Sequence, residues 1–176
     1  MSQKIKILVV EDDLPLREVL AHMLRNLAPK AGGIEVLEAG TLDEARELLP
    51  QTDAVLCDGS FPTHRGGRPE IMTVVESNWA PMRLDCERLR IPFVMLSGNY
   101  SLVQTLNEAG TLAFRKPGQA VDAVRLVVTL GLSTVAARRQ KFEDPRVAEA
   151  DRLNSLPEPD QREESKPRAW WKKFGE

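Results

Sequence analysis

Cysteine is scarce in this 176-residue chain, and the two present, Cys57 and Cys86, show no framework or metal-ligand spacing. That argues against a disulfide scaffold or a thiolate zinc site and suits a reducing, cytoplasmic setting. An excess of charge of one sign is also lacking. The formal net charge is -2, which gives no long-range attraction toward nucleic acid or an anionic membrane. No apolar run reads as long enough to cross a bilayer, so no stable membrane insertion is expected. The opening Met1-Ser2-Gln3-Lys4 passes straight into an apolar run, so no leader peptide is expected. With 42% hydrophobic and 28% charged residues, the chain has the makings of an ordinary soluble domain with a core.

What is present is alternation. Ile5–Val10 is a continuous, β-branched run that ends at acidic residues, as a strand buried on both faces does. Leu16, Val19, Leu20, Met23, Leu24 and Leu27 follow at helical spacing. Ile34–Leu37 reads as a second strand. Thr41 offers an N-cap, with Glu44 as its capping-box partner, to a helix burying Leu42, Ala45 and Leu49. Ala54–Cys57, Phe93–Leu96 and Thr111–Arg115 read as further strands, with helices near Ser101–Glu108 and from about Gln119 to Ala137. Between Pro62 and Arg90 two short helices are predicted, one with Ile71, Val74, Val75 and Trp79 and one with Met82, Cys86 and Leu89, separated by Pro81.

Strand–helix repetition implies a parallel sheet covered on both faces, with ligands bound beyond the carboxyl ends of the strands. The polar residues of interest sit there: Glu11, Asp12 and Asp13 after the first strand, Asp58 after the third, Ser97 after the fourth and Lys116 after the fifth. Carboxylates brought together repel unless a cation or a proton neutralises them. Oxygen-only ligands suit a hard ion such as Mg²⁺. An aspartate could then attack an electrophilic phosphorus without a general base, while Lys116 neutralises charge on the phosphoryl oxygens and Ser97 donates a hydrogen bond.

At these residues a resemblance becomes specific. The segments Ile-Leu-Val-Val-Glu-Asp-Asp (7–13), Asp-Ala-Val-Leu-Cys-Asp-Gly-Ser-Phe-Pro (53–62), Pro-Phe-Val-Met-Leu-Ser-Gly (92–98) and Phe-Arg-Lys-Pro (114–117) resemble, in order, the signature segments of response-regulator receiver domains. Pro62, Gly98 and the Lys116-Pro117 pair match as well. The resemblance covers about residues 4–138 and implies an α/β, flavodoxin-like, doubly wound five-stranded parallel sheet with a C-terminal extension. It implies that Asp58 accepts a phosphoryl group from a histidine kinase or histidine phosphotransfer protein. Asp12 would bind Mg²⁺ directly and Glu11 through water, with Asp58 and the backbone carbonyl of Ser60 as further ligands. Ser97 and Lys116 would contact the phosphoryl group, and Ser60 and Asn99 hold positions that tune its loss. The family's aromatic switch position is Ala113 here, and the nearest aromatic is Phe114. The loop from Thr63 to Arg68 also departs from the pattern.

Residues 139–176 mix acidic and basic side chains with prolines and few aliphatics, which predicts a disordered tail after a receiver spanning 1–138. The tail ends in Trp170-Trp171-Lys172-Lys173-Phe174, a candidate partner motif formed by Trp170, Trp171 and Phe174. No helix-turn-helix pattern and no second catalytic constellation are seen. The expectation is a stand-alone regulator, not an enzyme beyond self-directed phosphotransfer and dephosphorylation, that signals to a downstream protein by contact. The competing readings are a receiver-like scaffold that is never phosphorylated and, behind it, an aspartyl-phosphate hydrolase. Bland readings are preferred for His22 and His64 as surface residues, for Arg65 and Arg68 as part of a solvated loop, and for Cys57 as core.

Overall fold

The computed structural model describes residues 4–28, 32–66 and 78–143. The chain divides into two compact units, Met1–Arg139 and Gln140–Glu176. The first is described here; of the second, only the helical residues 140–143 are.

The elements alternate as the hydrophobic pattern requires: β1 (Ile5–Val10), α1 (Leu14–Leu27), β2 (Ile34–Ala39), α2 (Leu42–Leu48), β3 (Ala54–Asp58), α3 (Trp79–Leu89), β4 (Phe93–Ser97), α4 (Tyr100–Glu108), β5 (Ala113–Arg115) and α5 (Ala120–Glu143). All strand pairs are parallel, in the order β2-β1-β3-β4-β5. Strand alternation splits the core in two. Ile5, Ile7, Val9, Leu56, Val94 and Leu96 pack with Leu20 and Leu24 of α1 and with Val124 and Val127 of α5. Leu8, Val10, Val55, Cys57 and Met95 pack on the other face with α2, α3 and α4. Each fully buried aliphatic side chain contributes roughly 1.5–3 kcal/mol, so the central strands, apolar on both faces, are the most strongly held.

Local chemistry sets the helix starts. Asp13 caps α1, its side chain accepting from Leu16 N–H at 3.0 Å. Thr41 caps α2 by accepting from Glu44 N–H at 3.2 Å, while the Glu44 carboxylate accepts from Gly40 N–H at 2.8 Å. Asn99 caps α4, accepting from Leu102 N–H at 3.1 Å.

Three expectations need correction. Pro81 does not separate two helices; it lies in the first turn of α3, where a backbone N–H has no helical partner to lose. Ile71, Val74 and Val75 lie outside the described residues, as do Arg68, Trp170, Trp171 and Phe174. The last helix runs to Glu143, past the end near Ala137 read from the sequence. Finally, Ala120–Arg138 is long and apolar enough to cross a membrane, with a mean hydropathy of 1.6. Its stripe of Ala123, Val124, Val127, Val128 and Val135 is buried in the sheet cluster, while Val121 and Leu132 of the same helix are exposed.

α5 packs tightly on the sheet at Gly131, where an added Cβ would lie 2.8 Å from Ile5 Cγ2 and 3.6 Å from Ala54 Cβ. Gly131→Val is expected to destabilise the fold by about 1–3 kcal/mol through overpacking. Urea denaturation checks this; a variant as stable as wild type would show that α5 does not need this close approach.

Candidate functional site

In the order β2-β1-β3, the chain leaves β1 toward one side and β3 toward the other, so a crevice opens between their carboxyl ends. Glu11 and Asp12 follow β1 directly, and Asp58 is the last residue of β3, whose Cys57 lies opposite Val10. One carboxylate oxygen from each of Glu11, Asp12 and Asp58 lies within 4.8 Å of the others. Lys116 reaches this group from beyond β5, past the end of the intervening β4. Its Nζ is 2.5 Å from Glu11 Oε2 and 2.9 Å from Asp58 Oδ1. Lys116 N–H donates to the Ser97 carbonyl at 2.9 Å, and the Lys116-Pro117 peptide is cis.

The electrostatics follow from unequal burial. Glu11 is only 2% exposed, whereas Asp12 faces solvent. Burial, with the charge of Asp58 added, raises Glu11 to about 7 against the opposing pull of Lys116 and the Asp13 N–H. Asp12 is raised as well, first by partial burial and then by Asp58. Burial pushes Lys116 down, but Asp58 and Glu11 outweigh it and the net direction is up, so the amine stays an ammonium. Cys57 is buried and its thiol is held well above its usual range, first by burial and then by Asp58, while Cys86 is pushed up to about 12, mainly by burial. Both are protonated, unreactive core thiols.

Ser97 lies across the crevice on the neighbouring strand. Its hydroxyl accepts from Asn99 N–H at 3.1 Å, and a Cβ on Gly59 would come within 2.5 Å of its Oγ. Gly59 is therefore required for Ser97 to sit beside Asp58. Its own N–H donates to Asp58 Oδ1 at 2.6 Å. Ser60 follows, exposed, on the loop leaving β3. The Asn99 side chain is occupied in capping α4.

Sequence reasoning missed Gly59, although a glycine directly after the candidate acceptor was a usable signal. It also missed Arg17, whose guanidinium donates to the Glu11 carbonyl at 2.5 Å from the first turn of α1. Nothing in the sequence sets Arg17 apart from other helix residues.

Several other candidates lie elsewhere. Arg65 binds Glu44 of α2 rather than the crevice, and His64 and His22 are exposed. Ala113 points into the α2–α3–α4 side of the core, opposite Met95. Phe114, one residue on, packs on the α1–α5 side, opposite Leu96. Phe114 thus faces the wrong side of the sheet to replace an aromatic at 113. At the α4–β5 edge, the Arg115 guanidinium instead stacks on Tyr100, 5.0 Å from the ring centroid.

Because the carboxyl of Glu11 is raised from 4.5 to about 7 in the folded state, the folded protein holds this proton more tightly than the unfolded chain does. The resulting stabilisation is present in full below the unfolded value and is lost as pH rises through about 7. Denaturation in the presence of EDTA at several pH values should show this loss in wild type and not in Glu11→Gln. Parallel profiles would disprove the assignment.

No protein-family model matches the chain, and no curated protein sequence matches it significantly. Solved structures do match. One is a response regulator receiver protein from Sinorhizobium medicae, with a TM-score of 0.53 and 19% identity, covering 75% of this chain and 98% of that one. Another is a CheY-like response regulator receiver domain protein from Methanospirillum hungatei, at 0.53 and 18%, covering 77% and 99%. The chemotaxis response regulator CheY4 of Vibrio cholerae matches at 0.50 and 20%, covering 73% and 99%. With its five-stranded parallel sheet and flanking helices, the first unit of this chain has the receiver fold of response regulators.

Proposed function

We propose that this chain is a single-domain response regulator that accepts a phosphoryl group on Asp58 from a histidine kinase or histidine phosphotransfer protein and signals by protein contact. The observation that carries this reading is the Lys116 ammonium joined to both Glu11 and Asp58, with the Asp12 carboxylate alongside. The donor set is all oxygen and converges at the switch point of the sheet, so it fits Mg²⁺ held by Asp12, Asp58 and the Ser60 carbonyl, with Glu11 acting through water. When bound, Mg²⁺ would offset the mutual repulsion of the carboxylates and of the incoming phosphoryl oxygens.

The residues divide the work. A carboxylate oxygen of Asp58 attacks phosphorus, and the bond from phosphorus to the donor's imidazole nitrogen breaks. Its electron pair stays with the ring, which departs neutral because its other nitrogen carries a proton. Lys116, already 2.9 Å from Asp58 Oδ1, neutralises a phosphoryl oxygen. The Ser97 hydroxyl donates to another, and Gly59 provides the room for it. No external substrate is turned over in this scheme.

A second reading, a receiver-like scaffold that is not phosphorylated, is favoured by one observation: Ala113 provides no aromatic ring between β5 and α4.

Intact-protein mass spectrometry after incubation with acetyl phosphate separates the two. Wild type is expected to gain one phosphate-sized, Mg²⁺-dependent, base-labile adduct that is absent from Asp58→Ala. If neither acetyl phosphate nor a panel of histidine kinases yields the adduct, the scaffold reading stands.

A further inference from the structure

The segment after β3 is fastened in an unusual way. Phe61, three residues beyond Asp58, is buried, and three consecutive carbonyls from it onward are each engaged. The Phe61 carbonyl accepts from Asn78 Nδ2 at 2.7 Å, that of Pro62 from Leu42 N–H at 3.0 Å, and that of Thr63 from Asp43 N–H at 3.1 Å. The last two donors are orphan N–H groups of the first turn of α2. The first is different, because it is a side chain. Asn78 is 6% exposed and stands directly before α3, where an asparagine ordinarily caps the helix, yet its side chain makes no capping bond. It turns toward the loop instead. Its Nδ2 also lies 3.2 Å from Thr63 Oγ1, and the Thr63 hydroxyl donates back to its Oδ1 at 3.4 Å. A buried amide that gives up a cap to hold the carbonyl of the residue next to Ser60 is spent on the position of that loop.

We infer that Asn78 and Thr63 form a positioning pair that fixes the chain at Phe61 and thereby aims the Ser60 carbonyl at the divalent-cation site. This rests on the receiver reading above. Ser60 itself is exposed, and its carbonyl accepts from none of the described residues. Its placement therefore depends on its neighbours: Asp58 and Gly59 at one end, held by the sheet and by the Gly59 N–H bond to Asp58, and Phe61 at the other. Outer residues that orient a metal ligand typically change metal affinity by about 10–100-fold when removed. The pair touches neither phosphoryl group nor carboxylate, so its effect should fall on cation binding and not on the transfer step.

The test is a magnesium chloride titration of the full chain followed by intrinsic fluorescence, with Trp79 next to Asn78 as reporter, for wild type, Asn78→Ala, Thr63→Val and Arg65→Ala. Arg65 ties the same loop to Glu44 from the solvent side and serves as the control. Asn78→Ala is expected to bind Mg²⁺ about tenfold more weakly, and Thr63→Val severalfold more weakly, with Arg65→Ala unchanged. At saturating Mg²⁺, labelling by acetyl phosphate should return to the wild-type rate, which a general loss of structure would not allow. If Asn78→Ala does not fold, Thr63→Val decides, since it keeps the shape and removes only the hydroxyl. Wild-type Mg²⁺ affinity in the folded variants would overturn the positioning role and leave the receiver reading intact. No Mg²⁺ response in wild type would overturn both.

Discussion

The Lys116 ammonium held between Glu11 and Asp58 is the interaction on which the rest of the site depends. Three carboxylates converge there and one cation answers them, so a net negative charge remains in a partly enclosed crevice. At an effective dielectric near 20, two charges about 4 Å apart interact by roughly 4 kcal/mol, too much for the group to stay fully ionised unaided. The protein has two means of relief: a proton on Glu11, whose carboxyl is raised to about 7, or a divalent cation. Either would relieve the repulsion, and the three carboxylate oxygens lie close enough together that they could hold a metal ion.

Everything that builds this cluster is a consequence of sheet order. Because β1 and β3 are adjacent and send their chains to opposite sides, Glu11, Asp12 and Asp58 meet without any loop having to fold over them. Lys116 reaches the carboxylates although β4 lies between its strand and β3. Its backbone bond to the Ser97 carbonyl couples amine and hydroxyl to one strand end. Gly59 completes the arrangement by leaving no side chain where the Ser97 hydroxyl lies.

What was legible in the sequence was what depends on short-range rules. Continuous β-branched runs marked the strands, and the acids, hydroxyl and amine at their ends marked the site. Thr41 with Glu44 marked the start of α2, and the structure bears the cap out. The unreadable parts depend on long-range geometry. Pro81 is a helix breaker by composition, and only the actual start of α3 at Trp79 turns it into a first-turn residue. Phe114 looked like the aromatic nearest to a switch position, but strand alternation sends it to the opposite face from Ala113, and a one-residue offset in a strand is a change of side. Asn78 carried no signal at all, because its partners lie 15 and 17 residues earlier in the chain.

The two acids that follow β1 show how burial turns neighbouring residues into different chemical species. Glu11 is sealed, bonded to Lys116, and has its backbone carbonyl held by Arg17. Asp12, the next residue, faces solvent. On the proposed reading, a cation arriving from water would meet the exposed Asp12 and the half-buried Asp58 before Glu11. Glu11, already paired and costly to ionise, is better suited to tuning the charge of the crevice than to supplying a direct ligand. That difference in burial agrees with the proposed roles, in which Asp12 would contact the cation and Glu11 would act at one remove. It also gives a physical reason for a glutamate at the first position. The longer side chain reaches Lys116 from a buried backbone while leaving the exposed face of the crevice to the aspartates.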